Sequence, residues 1–308
     1  MTGLAWRATL LALALGTWSA CGGNVESPAP APAPVPAPAA RTEPERRPID
    51  EAAPEPAPSA AALQAMATPA KGDLEAIAAR GHLRILVTPS RTYYSTGNNL
   101  QRGATFDTGV AFARFLNSRA GSGQPRLDVV FIPTPEDALV KDLIAGRGDI
   151  AANLRLTFER DDQVAFATPT RTAIRELVVT GAGQPPLISL EDVAGRSIHV
   201  RRGSDHHASL LRLNDQLKKI SRPLAKIVIA DQSLTDEDLL DRVNEGTFPA
   251  TLADDYVFDA RQRELTGVAA NKDVAVSQDG VIAWVTRKES PQLLAAINAF
   301  FAAHKPRP

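Results

Sequence analysis

Beyond residue 72 the apolar positions of this chain follow two rhythms, and their succession sketches an architecture. Residues 82–88, His-Leu-Arg-Ile-Leu-Val-Thr, form a short apolar run rich in branched side chains, which predicts a strand after a helix over 73–80. Residues 108–117 place Val110, Ala111, Phe115 and Leu116 at helical spacing, and 127–133 return to a strand pattern. A helix over 135–145 and a short strand over 149–152 follow. The succession restarts after the turn-rich Gly181-Ala-Gly-Gln-Pro-Pro, with a short helix over 190–194, a strand over 197–200 and a helix over 204–217. A strand over 226–230, a helix over 235–245 and a strand over 250–253 continue it, and a strand over 280–286 and a helix over 291–303 close it. Strands alternating with helices predict an α/β fold with parallel pairing and ligand-facing loops at the carboxyl ends of the strands. Two such halves describe either one two-lobed protein or two tandem flavodoxin-like domains.

Residues 1–71 break these rhythms. Arg7 precedes an apolar run over 8–16 and then Thr17-Trp18-Ser19-Ala20-Cys21-Gly22, which predicts a secretory signal peptide over 1–20, short for a membrane span. The position of Cys21 resembles a bacterial lipobox, in which this cysteine is lipidated and becomes the first mature residue. Trp18 departs from the aliphatic residue usual there, and the alternative is an ordinary signal with an incidental cysteine. Gly22 in place of an aspartate favours the outer membrane in a Gram-negative host. Residues 28–58 are dominated by Pro and Ala with interleaved charge, so 21–71 is predicted to be a disordered, lipid-anchored tether. A single cysteine leaves no intramolecular disulfide, and the fold must rest on its apolar core.

The formal net charge of -1 and aromatic content of 5% argue against a nucleic-acid partner. No Gly-rich phosphate loop or G-x-S-x-G context is present, and no cofactor is expected.

Residues 146–160, Gly-Arg-Gly-Asp-Ile-Ala-Ala-Asn-Leu-Arg-Leu-Thr-Phe-Glu-Arg, end a predicted buried strand in a polar loop that carries an arginine. Backbone amides and a guanidinium delivered to one point suit a carboxylate. The segment resembles the G-x-x-D … T-x-x-R element of bacterial family 3 extracellular solute-binding proteins. Arg80-Gly-His-Leu-Arg-Ile-Leu-Val, Gly195-Arg-Ser-Ile-His-Val-Arg-Arg-Gly-Ser and residues 281–301 resemble further elements of that family, in the same order. Thr92-Tyr-Tyr with Gln101-Arg-Gly, Asn153-Leu154 and residues 238–254 bring the chain nearest to the solute-binding-like N-terminal half of membrane-bound lytic murein transglycosylases F. In those enzymes a goose-type lysozyme domain follows. Here the chain stops at Pro308, and the catalytic domain is expected to be absent. Glu289-Ser290 superficially matches a catalytic Glu-Ser pair but is read as a helix start.

The resemblance implies an α/β, type II periplasmic-binding-protein-like fold with two lobes, a cleft and two hinge crossovers near Thr180 and Val276. Lobe 1 would comprise 72–181 and 275–308, and lobe 2 would comprise 182–274. It also implies a ligand site. Arg160 matches the carboxylate-binding arginine, the alternative being a surface ion pair with Asp161 or Asp162. Ser204 adds a hydroxyl at a helix start, or merely caps that helix. Asp254 matches the acid that receives a ligand ammonium, although Asp255 exchanges with it after a one-residue shift of register and either can cap the following helix. Tyr93 and Tyr94 supply an aromatic wall, unless one belongs to the core, and Asn153 and Thr157 supply polar contacts. Arg155 departs from the small hydroxyl residue usual at its position. Facing the cleft, it would attract an additional carboxylate, and facing outward it says nothing. Asp205-His206-His207 invites a metal, but adjacent histidines on a helix project differently and no distant ligand set is evident, so no metal is expected.

The expected function is non-enzymatic: a lipid-anchored protein of the periplasm or cell envelope that binds an amino acid or small peptide between two lobes, for ABC-type uptake through a permease or for sensing. The alternative is a non-catalytic regulator of peptidoglycan turnover, which would bind muropeptides and partner a murein hydrolase. A dehydratase, as some proteins of this fold have become, would need a cleft acid/base pair that the sequence does not display.

Overall fold

The apolar runs become strands. In the computed structural model, residues 46–66, 68–121 and 126–305 are described, so the expected signal peptide, Cys21 and most of the Pro/Ala-rich tract lie outside the described residues. The first half of the fold comprises α1 (Leu74–Arg80), β1 (His82–Val87), α2 (Ala104–Arg119), β2 (Asp128–Pro133), α3 (Leu139–Ile144), β3 (Ile150–Arg155) and the short α4 (Phe158–Asp161). Then come β4 (Arg171–Gly181), β5 (Ser197–Val200), α5 (Asp205–Lys219), β6 (Lys226–Ile229), α6 (Asp236–Asn244), β7 (Ala250–Asp254), α7 (Asp255–Arg261), β8 (Val268–Thr286) and α8 (Pro291–Ala303).

These strands run in the order β6-β5-β7-β4-β8-β3-β1-β2. Parallel pairing of β1 with β2 and β3 builds the first lobe, and parallel pairing of β5 with β6 and β7 builds the second. Between them β4 and β8 run antiparallel to each other and belong to both lobes. Residues 176–180 of β4 pair with β7, while Ile282 to Thr286 of β8 pair with β3. Their mutual register slips repeatedly between Ala270 and Ile282. Thr180 therefore sits inside the second-lobe sheet opposite Ala250, and the crossing lies nearer Ile174 and Gly280 than Thr180 and Val276.

Period-two alternation sets which side each strand residue fills. Leu177 and Val179 of β4 face one second-lobe core with Leu240 and Phe258, and Val178 faces the other with Ile198 and Leu210. In the first lobe Ile85, Phe112, Phe131, Trp284 and Phe300 pack on one side of the sheet. Asp73 locks α1 to α8, because its carboxylate accepts bonds from Leu74 N and also from Gln292 N and Leu293 N, each at 2.8 Å. Gly103 (φ 117) opens α2 where a Cβ would lie 2.5 Å from the Tyr93 carbonyl oxygen, so the start of this helix requires glycine.

The segment expected as a free tether behaves differently from residue 46 onward. Ile49 and Ala52 are buried in the first-lobe core, and Ala52 N donates to Asp107 Oδ1 at 2.9 Å. Arg47–Pro48 pair in parallel with His304–Lys305. Carbonyls of Thr68 and Ala70 accept from Arg84 at 2.9 and 2.8 Å. Two apolar side chains and a buried cation with acceptors to find outweigh the local Pro/Ala bias.

Candidate functional site

The two lobes meet where the carboxyl ends of β1, β3, β5 and β7 converge. A cavity of about 120 Å³ lies there, lined from the first lobe by Ser90, Tyr93, Asn153 and Arg155 and from the second by Arg201, His206, Asp254 and Tyr256. A smaller cavity of about 60 Å³ shares Tyr93, Asn153 and Tyr256 with it and continues to Arg171 and Trp284. Tyr93 and Tyr256 meet edge to face across the cleft, with ring centroids 6.0 Å apart. Burial pushes the Tyr93 hydroxyl up to about 12, so it is a neutral donor at ordinary pH.

Ionic groups fill much of this cleft. Arg155, at the end of β3, places Nη2 2.6 Å from Asp254 Oδ1 at the end of β7 and 3.4 Å from Glu176 Oε1 on β4. His206, in the first turn of α5, stands with Nε2 3.4 Å from the same Asp254 oxygen. Burial opposes a charge on His206, yet the bond to Asp254 and the carboxylates of Asp236, Asp254 and Glu176 prevail and raise its pKa to about 10. Burial also opposes the Asp254 carboxylate, but His206 and Arg155 hold its pKa below the usual range.

A second set of bonds closes the rim. Glu136 of the first lobe accepts from Asp205 N at 2.9 Å and from Arg201 Nη2 at 3.3 Å. Burial, reinforced by Asp205, lifts the Glu136 carboxyl to about 8 despite Arg201. Glu237 of the second lobe accepts from Ser90 Oγ at 2.6 Å and Thr92 N at 3.1 Å, and Arg91 pairs with Asp241.

Arg160 lines neither cavity; it is held end-on by Asp205, which lines the larger one, with Nη2 2.8 Å from Oδ1 and Nη1 3.1 Å from Oδ2. Neither Asp161 nor Asp162 is its partner in these bonds. Arg155 faces inward, but Asp254 already neutralises it, which removes the spare charge that would attract another carboxylate. Asp254 lines the cavity, whereas Asp255 pairs with Arg175 at 3.4 Å. Ser204 caps α5, accepting from His207 N at 3.1 Å and donating to the Arg201 carbonyl at 2.9 Å, so its one proton is committed to the backbone. Thr157 caps α4, its hydroxyl accepting from Arg160 N at 3.3 Å. Asn153, in the left-handed region (φ 56), donates to Thr105 Oγ1 at 2.7 Å. Tyr94 departs from the expected wall. It is 2% exposed, stacks on Phe131 and bonds to Gln101 at 2.9 Å, because the turn after β1 sends adjacent tyrosines to opposite sides.

Sequence reasoning passes over Glu136, Glu176, Arg201, Glu237 and Tyr256, and meets His206 only in a metal motif that it sets aside. Arg201 was visible within Val-Arg-Arg-Gly-Ser. The others sit in helix starts and hinge strands, where acids are ordinary. Glu176, His206 and Asp254 present ligand atoms within 4.8 Å of one another, which supplies the distant carboxylates that the Asp205-His206-His207 motif lacked. Arg155 already places its guanidinium against the Glu176 and Asp254 carboxylates of this group.

Comparison with known proteins bears on the family and the fold. Residues 88–307 match the family model described as bacterial extracellular solute-binding proteins, family 3. The chain is 30% identical over 232 residues to membrane-bound lytic murein transglycosylase F of Sodalis glossinidius, and 28% identical over 237 residues to that of Yersinia enterocolitica. Each match covers 75% of this chain, but the chain spans only 46% and 45% of the relatives' own length. Among solved structures, a mutant of the T. maritima protein ArgBP aligns with a TM-score of 0.59 at 19% identity, covering 74% of this chain and 90% of the other. An ancestral arginine-binding protein bound to arginine aligns at 0.57 and 23%, covering 72% and 91%. These likenesses establish the two-lobed fold of type II periplasmic amino-acid-binding proteins. The chain belongs to the bacterial extracellular solute-binding proteins of family 3.

Proposed function

We propose that this protein is an extracytoplasmic receptor that closes its two lobes on an amino acid or small peptide. One observation carries the reading. Beside the cleft, Arg160 of the first lobe already grips the cavity-lining Asp205 in two-point geometry, and within it Asp254 of the second already grips a guanidinium. A zwitterion offers the same two charges and would exchange with Asp205 at one end and with Arg155 at the other. Tyr93 and Tyr256 would cover its apolar part, and Asn153 would orient it. Arg160 is the carboxylate partner in this reading, while Ser204 and Thr157 act by shaping the helix starts beside it. Exclusion of water on closure strengthens each charge-assisted bond, and a ligand shifts the lobes only as far as its affinity for the closed state exceeds that for the open one.

Anchoring through Cys21, with the chain held at the periplasmic face of the envelope and delivering its ligand to an ABC permease or sensor, completes the proposal. The similarity to the transglycosylases favours a second reading, in which the same closure regulates peptidoglycan turnover and the ligand is a muropeptide. Calorimetric titration of the full chain with amino acids and with muropeptides separates the two. Binding that disappears in Arg160→Ala supports the site, and saturation by neither class removes the receptor reading.

A further inference from the structure

Glu176 is a buried acid behind this cleft whose hydrogen bonds are unfilled among the described residues. It is fully buried on the crossover strand β4, and among the described residues neither of its carboxylate oxygens has a hydrogen-bond partner. Its nearest cation is Arg155, whose Nη2 stands 3.4 Å away while spending its short bond on Asp254. Arg155 Nη1 is buried and likewise unpartnered among the described residues. A buried carboxylate and a buried guanidinium nitrogen without hydrogen-bond partners are costly, and each is normally satisfied in a settled structure. Arg155 therefore fills this place imperfectly.

We propose that Glu176 and Asp254 form a subsite for a planar organic cation, a guanidinium or an amidinium-like group, and that Arg155 occupies it as an intramolecular stand-in. An incoming cation with two donor edges would serve Asp254 with one and the orphaned Glu176 with the other, and would turn Arg155 out toward the cavity. Arg155 is thus a specificity-determining residue: it raises the threshold for every cationic ligand and bridges the lobes when none is present. The carriers β3 and β7 belong to different lobes, so one guanidinium both fills the subsite and holds the cleft shut. Its neighbour Gly280 leaves the room it needs, since a Cβ there would lie 2.1 Å from Nη1.

This inference rests on the receptor reading only in supposing that the displacing cation belongs to a solute. Chemical rescue tests it on the full chain. Arg155→Ala should melt below wild type, and methylguanidinium at low millimolar concentration, set against sodium chloride of equal ionic strength, should raise its Tm by about 2–4 °C. Wild type should not respond, and Arg155→Ala combined with Glu176→Gln should lose the response. Absence of rescue in Arg155→Ala overturns the subsite, as does an equal shift in wild type, which would show that Arg155 does not fill it. Should Arg155→Ala fail to fold, Arg155→Met keeps the aliphatic stem and carries the same comparison. Titrating amino acids into the same variants keeps the two ideas apart. Rescue without amino-acid binding supports the subsite and removes the receptor reading, whereas amino-acid binding without rescue does the reverse.

Discussion

Arg84 and Asp149 are bonded in the interior of the first lobe, with Nη2 3.0 Å from Oδ1 and side chains 1% and 0% exposed. Arg80 and Arg287 approach the same carboxylate at 2.6 and 3.5 Å, and the bonds from Arg84 hold the Asp149 pKa below the usual carboxylate range against the opposing effect of burial. Three cations thus depend on one acid. Asp149→Asn should destabilise the protein by about 3–5 kcal/mol, since removing one partner of a buried pair strands the others. Denaturant unfolding of the variant checks this, and a loss comparable to that of an exposed pair would show that the arginines find other acceptors.

The charge on His206 gives stability a definite slope with pH. Its pKa is raised from 6.5 to about 10, so its contribution is complete below pH 6.5 and is lost as pH rises through 10. Glu136, raised from 4.5 to about 8, is protonated more readily in the folded protein, so its effect also weakens stability as pH climbs through that window. Tm should therefore fall steadily from neutral toward alkaline pH, and His206→Gln should flatten the fall above pH 6.5. A Tm that climbs over that range in wild type would contradict both assignments.

Gly280→Ala should act through Arg155. The added methyl would meet Nη1 at 2.1 Å and the Ile174 carbonyl oxygen at 3.1 Å, which forces the guanidinium off Asp254. Its cost should shrink by about 1 kcal/mol when Arg155 is already alanine, a coupling that a double-mutant cycle in urea measures directly. Strict additivity would mean that the glycine answers to the backbone alone.

The elements that sequence predicted best are those whose burial is apolar. Strand β5 and helix α8 fall at the residues where periodicity placed them, 197–200 and 291–303. The crossover strands were the least legible. Arg171, Arg175 and Glu176 in β4, and Lys272 and Asp273 in β8, interrupt any alternation of apolar and polar positions, because several of these charges are satisfied by ionic partners rather than by water. Strand β3 was cut short at 152 for a related reason, since Asn153 twists into the left-handed region before the strand resumes to Arg155. Within the cleft, Asp254 could be anticipated from its place at the end of a predicted strand. Glu237 could not, because Thr235 and Asp238 form a real capping box around it and explain the acid without any reach toward Ser90.

The parallel pairing of Arg47–Pro48 with His304–Lys305 has a mechanical corollary. Whatever chain lies before residue 46 or after residue 305 departs from one body, and among the described residues the chain passes from it into the second lobe through β4 and β8. Traction applied at either terminus therefore enters through the first lobe and reaches the second only by way of those strands and the bonds across the cleft.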